Sequence, residues 1–300
     1  MASFKTLFAR KAGAALTAAA ALCGSPAAGA TEAGHGLDAR TKDLLGQYPV
    51  CIKTGQLQSI QPWQTAEIYI AKLVKQAEIV IDADDTDTTI CTNPNMPFKV
   101  DGEYDTRKNL VSITYPTKRN ATGVPRGEET MVLALRHEWR HRMQNRNGFT
   151  KMLLDTNIPA SDRFGLLIAE EADARVEGVV FADRMRRKGK PEYVADMMRD
   201  SSRIPMSAYM RAIRSNSRNP AEAMRAAFAG FYSNVGSVEH YCRSNAAVIY
   251  DDPENPPSYE QGKSPAVSNE TLTRLGERPG QASYIDETLR EIIRFGCRLY

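Results

Sequence analysis

Long apolar runs, charge of one sign, cysteine and histidine are all scarce in this 300-residue chain. The longest apolar run, about Gly13 to Leu22, falls well short of the ~20 residues a bilayer-spanning helix needs. It follows Lys5, Arg10 and Lys11 and precedes Ala28-Gly29-Ala30. Residues 1–30 therefore read as a Sec-type export signal that is cut away, which predicts a periplasmic or secreted protein with no stable membrane insertion. Leu22 stands before Cys23 where a lipoprotein has a small residue, and this argues against a lipid anchor. Three of the 39 basic residues and none of the 36 acidic ones lie in that leader, leaving 36 of each. A neutral chain gives no electrostatic footprint for nucleic acid. Of five cysteines, Cys51, Cys91, Cys242 and Cys297 follow the leader, and no Cys-x-x-Cys pair occurs among them. A thiolate zinc site is thereby disfavoured, and two disulfides are expected, Cys51 with Cys91 and Cys242 with Cys297. Internal repeats and low-complexity linkers are missing too. The expected organisation is a loose polar arm over residues 31–60 and one domain over residues 61–300.

What is present is mostly helical periodicity. Apolar spacing predicts helices over Thr65 to Asp82, Glu128 to Asn147, Asp162 to Lys188, Glu192 to Ser201, Ser207 to Ser215, Ala221 to Ser233, Val238 to Ile249 and Ile285 to Arg298. Val111, Ile113 and Tyr115 alternate with Ser112 and Thr114, so a hairpin is expected around the turn-prone Asp105 to Asn109. Asp82 to Asp87 lacks the glycine and the terminal glutamate of a calcium loop and reads as solvated. Asp251 to Pro265 is too rich in Pro and Gly for regular structure and reads as a surface loop or lid. The fold class is α+β, mainly α, with a small N-terminal hairpin or sheet packed on one helix and a helical C-terminal part.

Two of the four histidines stand together in "LRHEWRH". At about 100° per residue, His137 and His141 share one helix face, Glu138 lies beside them, and Val132, Leu135, Trp139 and Met143 form an apolar stripe opposite. Histidines on a helix buried on both sides need partners. His-Glu-x-x-His is the pattern in which two imidazoles bind zinc while the intervening glutamate stays off the metal and takes a proton from the bound water. A third protein ligand is required. Gln144 and Asn147 occupy the places where a metzincin has Gly and its third His, so a carboxylate on a later helix is needed. On the helix beginning near Asp162, one face carries Phe164, Leu167, Ile168, Glu171, Ala174, Arg175, Gly178, Ala182 and Met185. Glu171 is the lone carboxylate of that stripe, and zinc would be the cation that offsets its burial. A salt bridge from Glu171 to Arg175 is the plain structural alternative. Glu170 is the runner-up ligand, on a face with Leu166, Asp173, Glu177 and Phe181 that reads as partly solvated. Asp173 is a candidate acceptor for an imidazole N–H, and His240, Tyr241 and Tyr232 are candidate oxyanion stabilisers.

"HEWRH" followed by Glu171 to Ala174 resembles the Glu-zincin metallopeptidases, whose third ligand lies in a Glu-x-x-Ala or Glu-x-x-x-Asp helix. Arg175 replaces the Asp of the longer motif. The similarity is greatest to small bacterial metallopeptidase domains of unknown substrate and spans about Leu110 to Met185. It implies a zinc cofactor, peptide or protein substrates, Glu138 as general base, and Val111 to Tyr115 as an edge strand holding the substrate. The contrary reading is a catalytically idle zinc-binding protein, or a structural helical envelope protein whose motif is accidental.

Overall fold

The computed structural model describes residues 38–97, 100–115, 127–155, 157–199, 201–215, 219–249, 267–278 and 280–295. In chain order the elements are α1 (Ala39–Gln47), β1 (Val50–Lys53), α2 (Thr65–Gln76), β2 (Thr89–Thr92), β3 (Gly102–Asp105) and β4 (Leu110–Ile113). There follow α3 (Glu128–Arg146), α4 (Phe149–Leu153), α5 (Ala160–Arg187), α6 (Glu192–Met197), α7 (Arg203–Ser215), α8 (Pro220–Tyr232), α9 (Val235–Ile249), α10 (Asn269–Leu275) and α11 (Glu287–Phe295). The protein is α+β and mainly helical, with one small sheet. Among the described residues no helix is long and apolar enough to cross a membrane.

The sheet has the order β1-β2-β4-β3, with β2 and β4 parallel and the outer pairs antiparallel. Its buried face, Ile52, Ile90, Val111 and Ile113, packs on α2 and α3 and is continuous with the helical core. Two expectations change here. The segment from Asp38 to Gln56 is ordered: the Asp38 side chain caps α1 through the Thr41 amide at 2.8 Å, and β1 pairs with β2 in the register that sets Cys51 opposite Cys91. "VCIK" is too short to show alternation, and its strand partner comes about forty residues later, so only tertiary pairing makes it a strand. Cys51 and Cys91 are disulfide-bonded across the two strands, a closure of 40 residues that contributes about 4 kcal/mol on chain-entropy grounds. The other expected pair involves Cys297, which lies outside the described residues, as do residues 1–37 and the Asp251 to Pro265 loop.

The second change concerns the sheet edge. The expected hairpin forms, with Asn109 at φ +48° closing its turn. Yet β4, expected at the edge, has β2 on one side and β3 on the other, so among the described residues β3, like β1, is an edge strand. Helix α2 also stops sooner than its apolar pattern suggests. Glu78 turns left-handed at φ +50°, and Arg136 from α3 donates to the carbonyls of Ala77 and Glu78 at 2.9 Å each, satisfying the helix end. The acidic loop is only partly solvated: Asp85 is buried and paired with Arg142 at 2.5 Å.

Helix α5, 28 residues long, is the spine. It contacts α3, α4 and every helix from α6 to α11. Small residues permit this; a Cβ on Gly165, for example, would fall 2.8 Å from the Ile293 carbonyl oxygen of α11. The site described next lies where α3 crosses α5.

Candidate metal centre

Helix α3 begins after Gly127 with Glu128 and Glu129 in its positive first turn and stops at Asn147, with Gly148 left-handed at φ +85°. Nineteen residues are thus fixed as one rigid bar, carrying Leu135 and Trp139 into the core on one side, His137 and His141 toward α5, and Glu138 against β3. Glu171 meets them from α5. His137 Nε2 lies 3.1 Å from His141 Nε2, while Glu171 Oε2 is 3.5 Å from His137 Nε2 and Glu171 Oε1 is 3.4 Å from His141 Nε2. One donor atom from each of the three residues lies within 4.8 Å of the others. Glu170, the runner-up, is not in this group. It is buried rather than partly solvated, and burial raises its carboxyl to about 8.

Electrostatics at this cluster favour a cation. Burial alone would raise Glu171, but the facing imidazoles hold it well below the ordinary carboxylate range. Burial alone would also lower His141, yet Glu171 more than reverses this and lifts it to about 10, whereas burial takes His137 down to about 4. Glu171 Oε2 is buried without a hydrogen-bond partner. An orphaned carboxylate oxygen beside two imidazole nitrogens is a donor set that fits a divalent ion, and the residues that would hold it are His137, His141 and Glu171.

Glu138 is buried next to this cluster, and burial raises its carboxyl to about 7. Its position depends on β3. A Cβ on Gly102 would sit 2.7 Å from Glu138 Cγ and 2.9 Å from its Oε1, so the strand can lie against this side chain only because residue 102 has none. Two residues along, the Tyr104 hydroxyl accepts from Asn145 Nδ2 at 3.0 Å and pins β3 to α3.

The expected acceptor for an imidazole N–H, Asp173, is present but one residue removed. His141 Nδ1 faces Gln144 Oε1 at 2.8 Å, and Gln144 Nε2 in turn donates to Asp173 Oδ2 at 2.9 Å and to the Glu170 carbonyl at 3.0 Å. Asp173 is fully buried and also accepts from Arg140 Nε at 2.6 Å, Arg278 Nη2 at 2.8 Å and the Tyr284 hydroxyl at 2.8 Å. These partners outweigh its burial and hold it down at about 2. The face of α5 that reads as half-solvated in sequence is therefore a buried network, closed further by Glu177 with Arg136 and Arg278. Gln144 could have been found from its i+3 spacing to His141. Arg278 and Tyr284 carry no local signal, being 105 and 111 residues from Asp173.

Of the oxyanion candidates, His240 is exposed on α9. Its neighbour Tyr241 turns inward instead, and its hydroxyl is hydrogen-bonded with Glu171 and with Arg175. Tyr232 is partly buried, packed beside Phe228 and Phe231. Arg175, which replaces the motif Asp, donates to Ser202 Oγ at 3.1 Å.

No curated protein and no solved structure matches the chain. A family model does, over residues 53–285, a stretch that contains α3, α5, the network behind them and the whole sheet apart from most of β1. The chain belongs to that family, described as the putative metallopeptidase family DUF6782.

Proposed function

We propose that the protein is a zinc-dependent peptidase of the Glu-zincin type, exported to the periplasm or beyond, with His137, His141 and Glu171 as the metal ligands. The observation that carries this reading is the meeting of those three donors from two helices within 4.8 Å, with Glu138 buried alongside. Two imidazoles and one carboxylate form a hydrolytic zinc set that leaves a fourth position free. When bound, the ion supplies Lewis acidity at the scissile carbonyl and acidifies the attacking water. Glu138 accepts the proton of that water on its carboxylate and passes it to the leaving amine.

Substrate would lie along β3, whose outer side carries no strand among the described residues. Gly102 pairs with Ile113, and Thr114 N–H bonds the Asp101 carbonyl, a register that turns the Gly102 amide and carbonyl outward. Extended peptide can pair there and bring its backbone past Glu138. Tyr241, rather than the exposed His240, is the group of α9 placed to donate toward an oxyanion. The Cys51–Cys91 disulfide supports an oxidising compartment.

The test is metal analysis of the purified chain together with hydrolysis of unfolded casein or peptidoglycan stem peptides. Zinc near one equivalent and chelator-sensitive cleavage are expected. Glu138→Gln should lose about 10²–10⁴-fold in turnover with zinc still bound. Full activity in that variant, or no metal uptake by the parent chain, overturns the reading.

A further inference from the structure

The geometry points to Gln144 as the residue that locks His141 in one tautomer, with its own amide orientation dictated by Asp173 and, through Asp173, by Arg278 and Tyr284 of the C-terminal segment. The inference rests on the metal-binding half of the function proposed above. An imidazole gives a metal one nitrogen and must protonate the other, and whichever group faces the second nitrogen selects the tautomer. An amide facing it is ambiguous, since its oxygen would accept a proton and its nitrogen would not.

At Gln144 the ambiguity is removed from behind. The end of the amide directed away from His141 lies 3.0 Å from the Glu170 carbonyl and 2.9 Å from the Asp173 carboxylate. Both accept and neither donates: one is a backbone carbonyl, and the oxygens of Asp173 already receive bonds from Arg140, Arg278 and the Tyr284 hydroxyl. That end must be the NH₂. The oxygen of Gln144 then faces His141 Nδ1 at 2.8 Å, Nδ1 carries the proton, and the lone pair of Nε2 points to His137 and Glu171. Each link forces the next, so a contact more than a hundred residues away in sequence sets which nitrogen of His141 is a ligand. Gln144, Asp173 and Arg278 are positioning residues; none reaches the donor cluster itself.

Long-range ¹H–¹⁵N spectra of the zinc-loaded, histidine-labelled chain test this directly. His141 should appear with Nδ1 protonated and Nε2 metal-bound, and coordination through Nδ1 overturns the proposal without any variant being made. Gln144→Met keeps the length and removes all three bonds; zinc affinity by chelator competition should fall about 10–100-fold, with the Nδ1 proton exchanging rapidly with water. An unchanged affinity in a folded Gln144→Met chain also overturns it. Neither readout depends on turnover: zinc uptake with the expected tautomer but no peptide cleavage supports the lock and removes only the peptidase reading. A parent chain that binds no zinc removes both.

Discussion

Helix α5 buries acids on two faces, and the two are treated differently. On one, Asp173 and Glu177 are matched by Arg136, Arg140 and Arg278, guanidinium groups that stay charged at any pH the fold survives. On the other, Glu171 looks onto two imidazoles and keeps one oxygen with no hydrogen-bond partner. Asp173 and Glu177 are thus given permanent cations and a partner on each oxygen. On the reading proposed above, Glu171 faces the other two ligands, and its unpartnered oxygen is left for the ion.

The contrast is open to experiment. Asp173→Asn should cost the most stability, about 3–5 kcal/mol, because it leaves Arg140 buried without its counter-charge and Arg278 with Glu177 alone. Glu171→Gln should leave the melting temperature of the chelator-treated chain unchanged or higher, while abolishing stoichiometric zinc uptake. Equal destabilisation by both, in chemical denaturation, would erase the distinction between the faces. Gly102→Ala comes next, for its methyl would displace the Glu138 side chain. Turnover should drop by about 10²-fold while zinc affinity holds, and wild-type turnover in this variant would show that β3 does not constrain the base.

The smallest effect is expected from Glu177→Gln, a loss of about 1.5–3 kcal/mol at neutral pH. Arg278 and Arg136 outweigh burial and hold the Glu177 carboxyl below its ordinary value. Its contribution is therefore complete above the usual glutamate range and is lost as pH falls through the lower folded value. The gap between variant and parent should close on acidification; urea titrations at stepped pH would read a constant gap as evidence against the pairing.

How legible all this is in the sequence follows the same division. His137, Glu138 and His141 declare themselves because the α-helix converts spacing of four into adjacency, and Glu171 stands out as a charge in an apolar stripe. Helices α3 and α5 end within a residue or two of where periodicity and caps put them. The network behind Glu171 is invisible in the same reading, since a face of Leu166, Glu170, Asp173 and Glu177 looks solvated until arginines from distant segments are brought to it. Strand β1 and the true sheet edge fail for a related reason: pairing order is a tertiary property, and four-residue strands carry too little pattern to announce it. Tyr241 and His240 are neighbours whose order of merit depends on which way α9 is rotated.

The strap that carries Arg278 and Tyr284 also has a meaning in time. A chain growing from its N-terminus completes the histidine helix and the Glu171 helix well before these two residues are made, 105 and 111 positions beyond Asp173. Until they dock, Asp173 has two of its four donors missing and the orientation of Gln144 is not yet enforced. A nascent chain that has not yet reached them thus holds His137, His141 and Glu171 before the network behind them is complete.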